Sequence, residues 1–455
     1  MKSITPTIQQ SNTLFLVLIL LFVVSCRERV VPPDVPPYIY PITLTNEDVS
    51  CTEAFIRIKT TKVFEGGRLQ LKRDGITRIE ITDLKTELDT LIVDEGLLPK
   101  QTYTYKAFLH SSISPPLQSP VDSSAPLLLT TIDTTSSNFT WQIDTLGDGA
   151  GSVLYDVAVL SDTLAYAVGE IYKKDSTGQF ETTPYNTARW NGKEWKLIRT
   201  KVKLNYGTSI LYSYTALKSL FAFSKDDIWF VHNAGGVTRY HNGNWIMLDI
   251  PYGEGPGGAN KIWGTSPNNL FFVGPNGRIT FYNGVSWRRL ESGTDQTIND
   301  VWGVNDTKTN EPFILAGASN VYNPGYIKLL QIKTTGYVDT IPWISQNRCI
   351  SSVWFQNPNR LFTAGGGVFT RSLNGRWKEF KEIPLIYTSR IRGQDINDIF
   401  VAGHFGLVAH FNGVNWRVYP EVAAASYYSC DYKNNMLVAV GLRNARAVTL
   451  ILRKR

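Results

Sequence analysis

The sequence predicts an all-β chain: a closed ring of seven four-stranded blades behind a small two-sheet sandwich. Three observations predict it. Asn-Gly followed closely by tryptophan returns at near-regular intervals through residues 138–455. Each copy carries short runs of period-two alternation, the pattern of half-buried strands. The last copy lacks one strand, and an orphan segment at 138–143 matches the missing one.

The chain has 455 residues, 43% hydrophobic, 12% aromatic and 19% charged, which is globular composition with room for two or three domains. The formal charge is +7, but the basic residues are scattered singly. No basic run interleaves with aromatics, which excludes a nucleic-acid groove. Scattered basic charge suits solubility or an anionic envelope surface.

Residues 14–24 form an unbroken apolar run behind Lys2, too short for a permanent membrane helix and right for a signal-peptide core. The run ends in Val23-Val24-Ser25-Cys26. This resembles the lipobox of bacterial lipoproteins, which implies cleavage before Cys26 and lipid on its thiol and new amino group. Residues 1–25 are then a signal peptide, and 26–37 a lipidated cysteine with a proline-rich spacer, since Pro32-Pro33 and Pro36-Pro37 favour extended chain. Arg27 in place of aspartate implies, by the same resemblance, the outer membrane of a bacterial envelope, facing the periplasm or the surface. The lipid anchor makes the membrane a partner. Cys51, Cys349 and Cys430 are far apart and odd in number, so no disulfide framework is implied. Each is expected to pack as a small buried side chain.

Residues 38–135 read as the sandwich. Phe55–Lys59, Leu69–Lys72 and Ile79–Thr82 alternate, with turns at Gly66-Gly67 and Asp74-Gly75. The stretch Leu97-Leu-Pro99-Lys-Gln-Thr-Tyr103 resembles the fibronectin type III signature. The resemblance implies that Tyr103 is the corner tyrosine, bonded to upstream backbone, and that the domain is a spacer.

From 138 onward the repeat governs. Asn191-Gly192 precedes Trp195, Asn242-Gly243 precedes Trp245, and Asn283-Gly284 precedes Trp287; Asn374-Gly375 precedes Trp377 and Asn412-Gly413 precedes Trp416. The tryptophans are 50, 42, 90 and 39 residues apart, so the long gap holds a degenerate copy, from Asn299 to Ile332. Asn-Gly marks a two-residue hairpin with positive φ at both positions, and each tryptophan is a large apolar side chain for blade packing. Four strands in about 45 residues is the size of a β-propeller blade. Copies end near 198, 248, 290, 333, 380 and 419. The seventh begins at Ser426 and is completed by Asn138–Ile143 with Trp141, which leaves no open sheet edge. The repeat is similar to the Trp-Gly and Asn-Gly-x-x-Trp repeats of bacterial envelope propeller proteins.

Catalytic signals are weak. His110 lies in the sandwich, and His232, His241, His404 and His410 sit at blade positions. No zinc or nucleophile motif is present, so the expectation is no catalytic residue, no metal and no cofactor. Gly253–Gly258 fits Gly-x-Gly-x-x-Gly but opens no helix and contains Pro256, so it reads as a loop between blades. Ligand binding is expected in loops that exceed blade length, at 170–187, 200–215 and 251–260. They carry Tyr172, Tyr185, Tyr206, Tyr212, Tyr214 and Tyr252, which suit sugar stacking or protein contact. The reading is a monomeric, non-enzymatic, lipid-anchored scaffold that binds an envelope protein or glycan. The alternative is a glycan-active hydrolase or lyase at the ring channel, for which scattered acids such as Asp300 and Asp395 are the candidates.

Overall fold

Alternating sequence becomes two kinds of antiparallel layer. The computed structural model describes residues 41–61, 66–111, 120, 122–149, 151–206, 209–251, 253–306, 309–320, 323–343, 348–372, 375–422 and 424–455, with backbone only at 205–206 and 323–325. Cys26 and Tyr252 fall outside these residues, as does the side chain of Tyr206.

In the sandwich, strands Ile42–Val49, Glu53–Thr60 and Asp89–Glu95 form one sheet. Ile76–Leu84, Gly67–Arg73, Thr102–His110 and Asp122–Ser123 form the second, with Leu127–Thr130 also paired to Thr102–His110. The two sheets share one apolar core that includes Ile56, Ile58, Leu69, Leu71, Tyr105 and Leu109. Tyr103 packs against that core, and its hydroxyl accepts the Leu98 N–H at 2.9 Å.

Seven four-stranded sheets follow. Their first strands are Val153–Ser161, Leu217–Ser224, Lys261–Ser266, Ile298–Asp306, Ile350–Trp354, Thr388–Asp395 and Ser426–Lys433, which define blades one to seven. Each first strand touches the next, and the seventh touches the first, so the ring is closed. Phe139–Leu146 is the outermost strand of blade seven, paired with Arg446–Lys454 from Phe139↔Lys454 to Leu146↔Ala447. It runs three residues past the expected 143.

The ring has one apolar core per junction between blades. Val438, Val440 and Ile451 of blade seven interlock with Leu154, Val157 and Trp190 of blade one. Phe400, Ala402 and Val408 of blade six do the same with Leu437, Ala439 and Leu450 of blade seven. Both faces of every blade are therefore buried. That accounts for near-continuous apolar second strands such as Asp398–Gly403, buried at every position.

Two expectations need correcting. Blade four does not end near 333: its fourth strand is Val338–Ile341, paired with Leu329–Ile332, and lacks the tryptophan that marks other copies. The Asn-Gly turns are also not all two-residue hairpins. Among the described repeat turns only Asn242-Gly243 has positive φ at both positions, 48° and 84°. In Asn191, Asn283 and Asn412 only the following glycine is left-handed, and the asparagine Oδ1 accepts the N–H groups two and three residues on. The spacing explains the split. Asn242-Gly-Asn-Trp245 is one residue shorter, so it must turn tightly.

The tryptophans divide as well. Trp287 and Trp416 are buried, packing on Tyr282 and Phe411. Trp195 is half-buried against Trp190, and Trp377 donates its indole N–H to Pro342 O at 3.2 Å. Trp141 and Trp245 are exposed.

Candidate functional site

In each blade the turns joining strands one to two and three to four emerge on one face of the ring. The loops joining two to three, and four to the next blade, emerge on the other. The sandwich occupies the first face, beneath blades five and six, within the compact unit Pro41–Arg455. Asn357 Nδ2 donates to Asp48 at 2.8 Å, Arg360 pairs with the buried Glu53 at 3.2 Å, and Lys378 pairs with Glu95 at 2.5 Å. The segment 133–137 is a docked strap. Asn397 Nδ2 donates to Asp133 O at 2.7 Å and Thr135 N–H to Asn412 O at 3.2 Å.

The loop face carries the candidate tyrosines, but they do not form one cluster. Tyr172 is half-buried beside Glu170; burial first, then its hydrogen bond to Glu170, pushes its phenol up to about 12. Tyr185 lies under the Arg199 guanidinium, 4.0 Å from ring centre to cation. Tyr212 is exposed with the Lys201 ammonium 4.9 Å over it, and Tyr214 is half-buried. Tyr206 and Tyr212 belong to a hairpin, Val202–Tyr206 with Ser209–Ser213, whose strands pair only with each other among the described residues. Next to it a cavity of about 220 Å³ is lined by Lys203, Gly236, Gly253, Gly255 and Arg278. The Gly-rich loop is thereby a wall of a groove: Arg278 Nη1 donates to Gly255 O at 2.8 Å.

Exposed large apolar side chains on the ring's loops are one-sided. Phe180, Ile210, Leu211, Tyr212, Tyr326, Leu385 and Phe405 are on the loop face, against Val285 and Tyr337 on the sandwich face.

The feature that single-strand reading missed is a polar ring across the axis. Six first strands have a register shift near their start, just before Asp156, Ser219, Asp300, Ser352, Arg390 and Ser429. A bulge re-aims the following side chain. With Lys261 of blade three these residues form a buried ring, one from each blade. Asp156 accepts Lys261 Nζ at 2.8 Å, Ser429 Oγ at 2.7 Å and Ser219 Oγ at 3.1 Å. Asp300 accepts Arg392 through both oxygens at 2.8 and 2.9 Å, Ser352 Oγ at 2.5 Å, and pairs with Arg390 at 2.5 Å. Burial pushes the Asp300 carboxyl up, and Arg390 and Arg392 override it, holding it far below the carboxylate range. Burial pushes Lys261 down, opposed by Asp156 and reinforced by the two arginines. Beneath the polar ring the axis opens into a cavity of about 360 Å³ walled by Phe221, Trp263, Trp302, Gln394 and Lys433.

The histidines do structural work. Asp398 accepts His410 Nε2–H at 2.7 Å, so His410 Nδ1 accepts the Ser137 hydroxyl at 2.8 Å. This Ser-His-Asp line is a tie and not a nucleophile: the imidazole is fully buried, with Phe400 and Phe139 4.6 and 5.1 Å away. His232 is also fully buried, with Ala234 and Gly236 N–H groups each 2.8 Å from a ring nitrogen. An imidazolium would face donors on both sides. Burial holds its pKa down at about 4. The folded state therefore refuses a proton that the unfolded chain accepts. This contribution is complete above the ordinary pKa of 6.5 and is lost as pH falls from 6.5 to 4. The loss is expected to reach about 3 kcal/mol, and urea titrations at pH 7 and pH 4 check it: His232→Gln should flatten this part of the profile.

No protein-family model matches the chain, and no curated protein matches it in sequence. Among solved structures it is similar to YCF48 bound to D1 peptide, with 13% identity, a TM-score of 0.51, and coverage of 71% of this chain and 99% of that one. It is also similar to virginiamycin B lyase from Staphylococcus aureus (14%, TM-score 0.49, 70% and 100%). A third is the WD40 beta propeller domain of Doa1 (15%, TM-score 0.45, 69% and 97%). The likeness extends to the fold: residues 139–455 are a β-propeller in an all-β chain.

Proposed function

We propose that this is a lipid-anchored cell-envelope protein whose propeller binds a glycan or protein ligand through its loop face without turning it over. The observation that carries the reading is the one-sided distribution of exposed apolar side chains, away from the face the sandwich occupies. Adjacent exposed apolar side chains, as at Ile210, Leu211 and Tyr212, mark interaction sites. The sandwich reads as a fibronectin type III spacer; its strand order and the Leu98–Tyr103 bond support that reading. Together with the proline-rich spacer it would hold the loop face away from the membrane. The run at 14–24 and Val23-Val24-Ser25-Cys26 support an anchor on Cys26 and an outer-membrane location.

The acids that a hydrolase or lyase would use at the channel are committed elsewhere. Asp156 and Asp300 are fully buried in ion pairs, and a general acid needs its pKa raised, whereas these are lowered. Asp395 is exposed at the sandwich-face end of the strand Thr388–Asp395. A glycan array with a polysaccharide-degradation screen on the full chain tests the reading. Capture without turnover is expected, and turnover of any polymer would overturn it.

A further inference from the structure

At the axis on the loop face, blades six, seven, one and two line a mouth with aromatic rings and one ammonium. His404 packs edge-on to Tyr387 at 5.1 Å and to Tyr428 at 5.9 Å. Tyr428 and Glu170 are near enough to Tyr155 to add to the rise that burial gives its phenol. The Lys218 ammonium sits 3.7 Å over the Tyr155 ring. Tyr155, Lys218 and Tyr428 each directly precede their blade's member of the polar ring, Asp156, Ser219 and Ser429. They form the layer above it, so a ligand entering along the axis meets them and goes no further.

Two features of this mouth point outward. Among the described residues Lys218 has no carboxylate partner, and burial alone pushes its pKa down. The Tyr155 ring face stabilises this half-buried cation without neutralising it, so an anion that pairs with it gains a full charge interaction. Beside His404, Phe405 is held at φ 55°, ψ 28° with its ring 81% exposed. Hydrogen bonds of the 403–407 turn hold that backbone, and the turn presents a large apolar side chain to water.

We infer that the mouth binds an acidic glycan, with a uronate carboxylate on Lys218 and sugar faces on Tyr155, Tyr428 and Phe405. This rests on the binding reading above and names its ligand class. Flat rings spaced around an opening suit pyranose faces, while Glu170 and the phenols supply partners for hydroxyls. Lys218 selects the acid.

Titration calorimetry of the full chain with oligogalacturonate, its methyl ester, oligoalginate, oligoglucuronate, a neutral cello-oligosaccharide and polyglutamate tests the inference. The free acid of at least one uronate oligomer is expected to bind. Removing the charge by esterification or by Lys218→Met should weaken binding about tenfold or more, and Lys218→Arg should restore it. The melting temperature of Lys218→Met should not fall, which separates lost binding from lost folding. Equal binding of ester and acid, unchanged binding by Lys218→Met, preference for polyglutamate, or no binding of any uronate oligomer would overturn it. Uronate binding lost on substituting Ile210, Leu211 and Tyr212 but kept in Lys218→Met would overturn the mouth alone and leave the loop-face reading standing.

Discussion

Replacing Asp300 with alanine is expected to destabilise the propeller by about 3–5 kcal/mol, because it strands two buried guanidiniums without their carboxylate. Arg390 and Arg392 are 5% and 2% exposed and reach Asp300 from two blades away. The same logic predicts recovery when the charges are removed together. Asp300→Leu with Arg390→Met and Arg392→Met should regain most of the loss, since a packed apolar replacement of an ion cluster is often neutral. Urea unfolding followed by tryptophan fluorescence measures both. The pH dependence has a definite sign. A carboxylate held below its ordinary pKa stabilises the fold above that pKa, and the contribution is lost in acid. Asp300→Ala should therefore unfold with less acid dependence than the parent.

The second large effect is at the closure of the ring. Asp398 is buried in blade six and gathers four partners: His410 at 2.7 Å, Gln394 at 2.8 Å, Tyr432 at 3.0 Å and Lys454 at 3.3 Å. Tyr432 and Lys454 belong to blade seven. His410 carries the tie onward to Ser137, just before the strand Phe139–Leu146. One carboxylate therefore joins blade six to both chain segments that build the last blade. Asp398→Ala should cost about 3 kcal/mol or more, as expected when one member of a buried charged network is removed. Hydrogen exchange should show the loss first at the Phe139–Leu146 and Arg446–Lys454 pair. Uniform loosening of all seven blades would contradict this account.

How far the sequence carried depends on what kind of signal a residue leaves. Asn-Gly-x-x-Trp is a local signal, and turns stand at Asn191, Asn283 and Asn412 and at the shorter Asn242–Trp245 copy, while Asn374 lies outside the described residues. Blade four hid its last strand because Val338–Ile341 has no tryptophan to mark it. The polar ring is different. Asp156, Lys261, Asp300 and Arg390 lie in different blades, and only closure brings them together. Asp300 read as a scattered acid when taken alone. A signal was nevertheless present. Lys261, Asp300 and Ser352 each stand two residues before Trp263, Trp302 and Trp354, and Arg390 stands two before Arg392, which replaces that tryptophan. Stacking the copies on that position would have shown a column of polar residues where strands should be apolar. Nothing in the sequence marked Lys218 or Phe405, because a half-buried ammonium over a tyrosine ring and a left-handed φ are properties of the folded mouth.

The central claim is that the loop face is the binding face. The direct test compares array capture by two variants of the full chain matched for lost apolar surface. One is Ile210→Ser, Leu211→Ser and Tyr212→Ser on the loop face; the other is Val285→Ser and Tyr337→Ser on the sandwich face. Exposed side chains such as these should change stability by less than about 0.5 kcal/mol. The account predicts that the first variant loses capture about tenfold or more while the second binds like the parent. Capture lost only in the second variant would place the binding face beside the sandwich and contradict it.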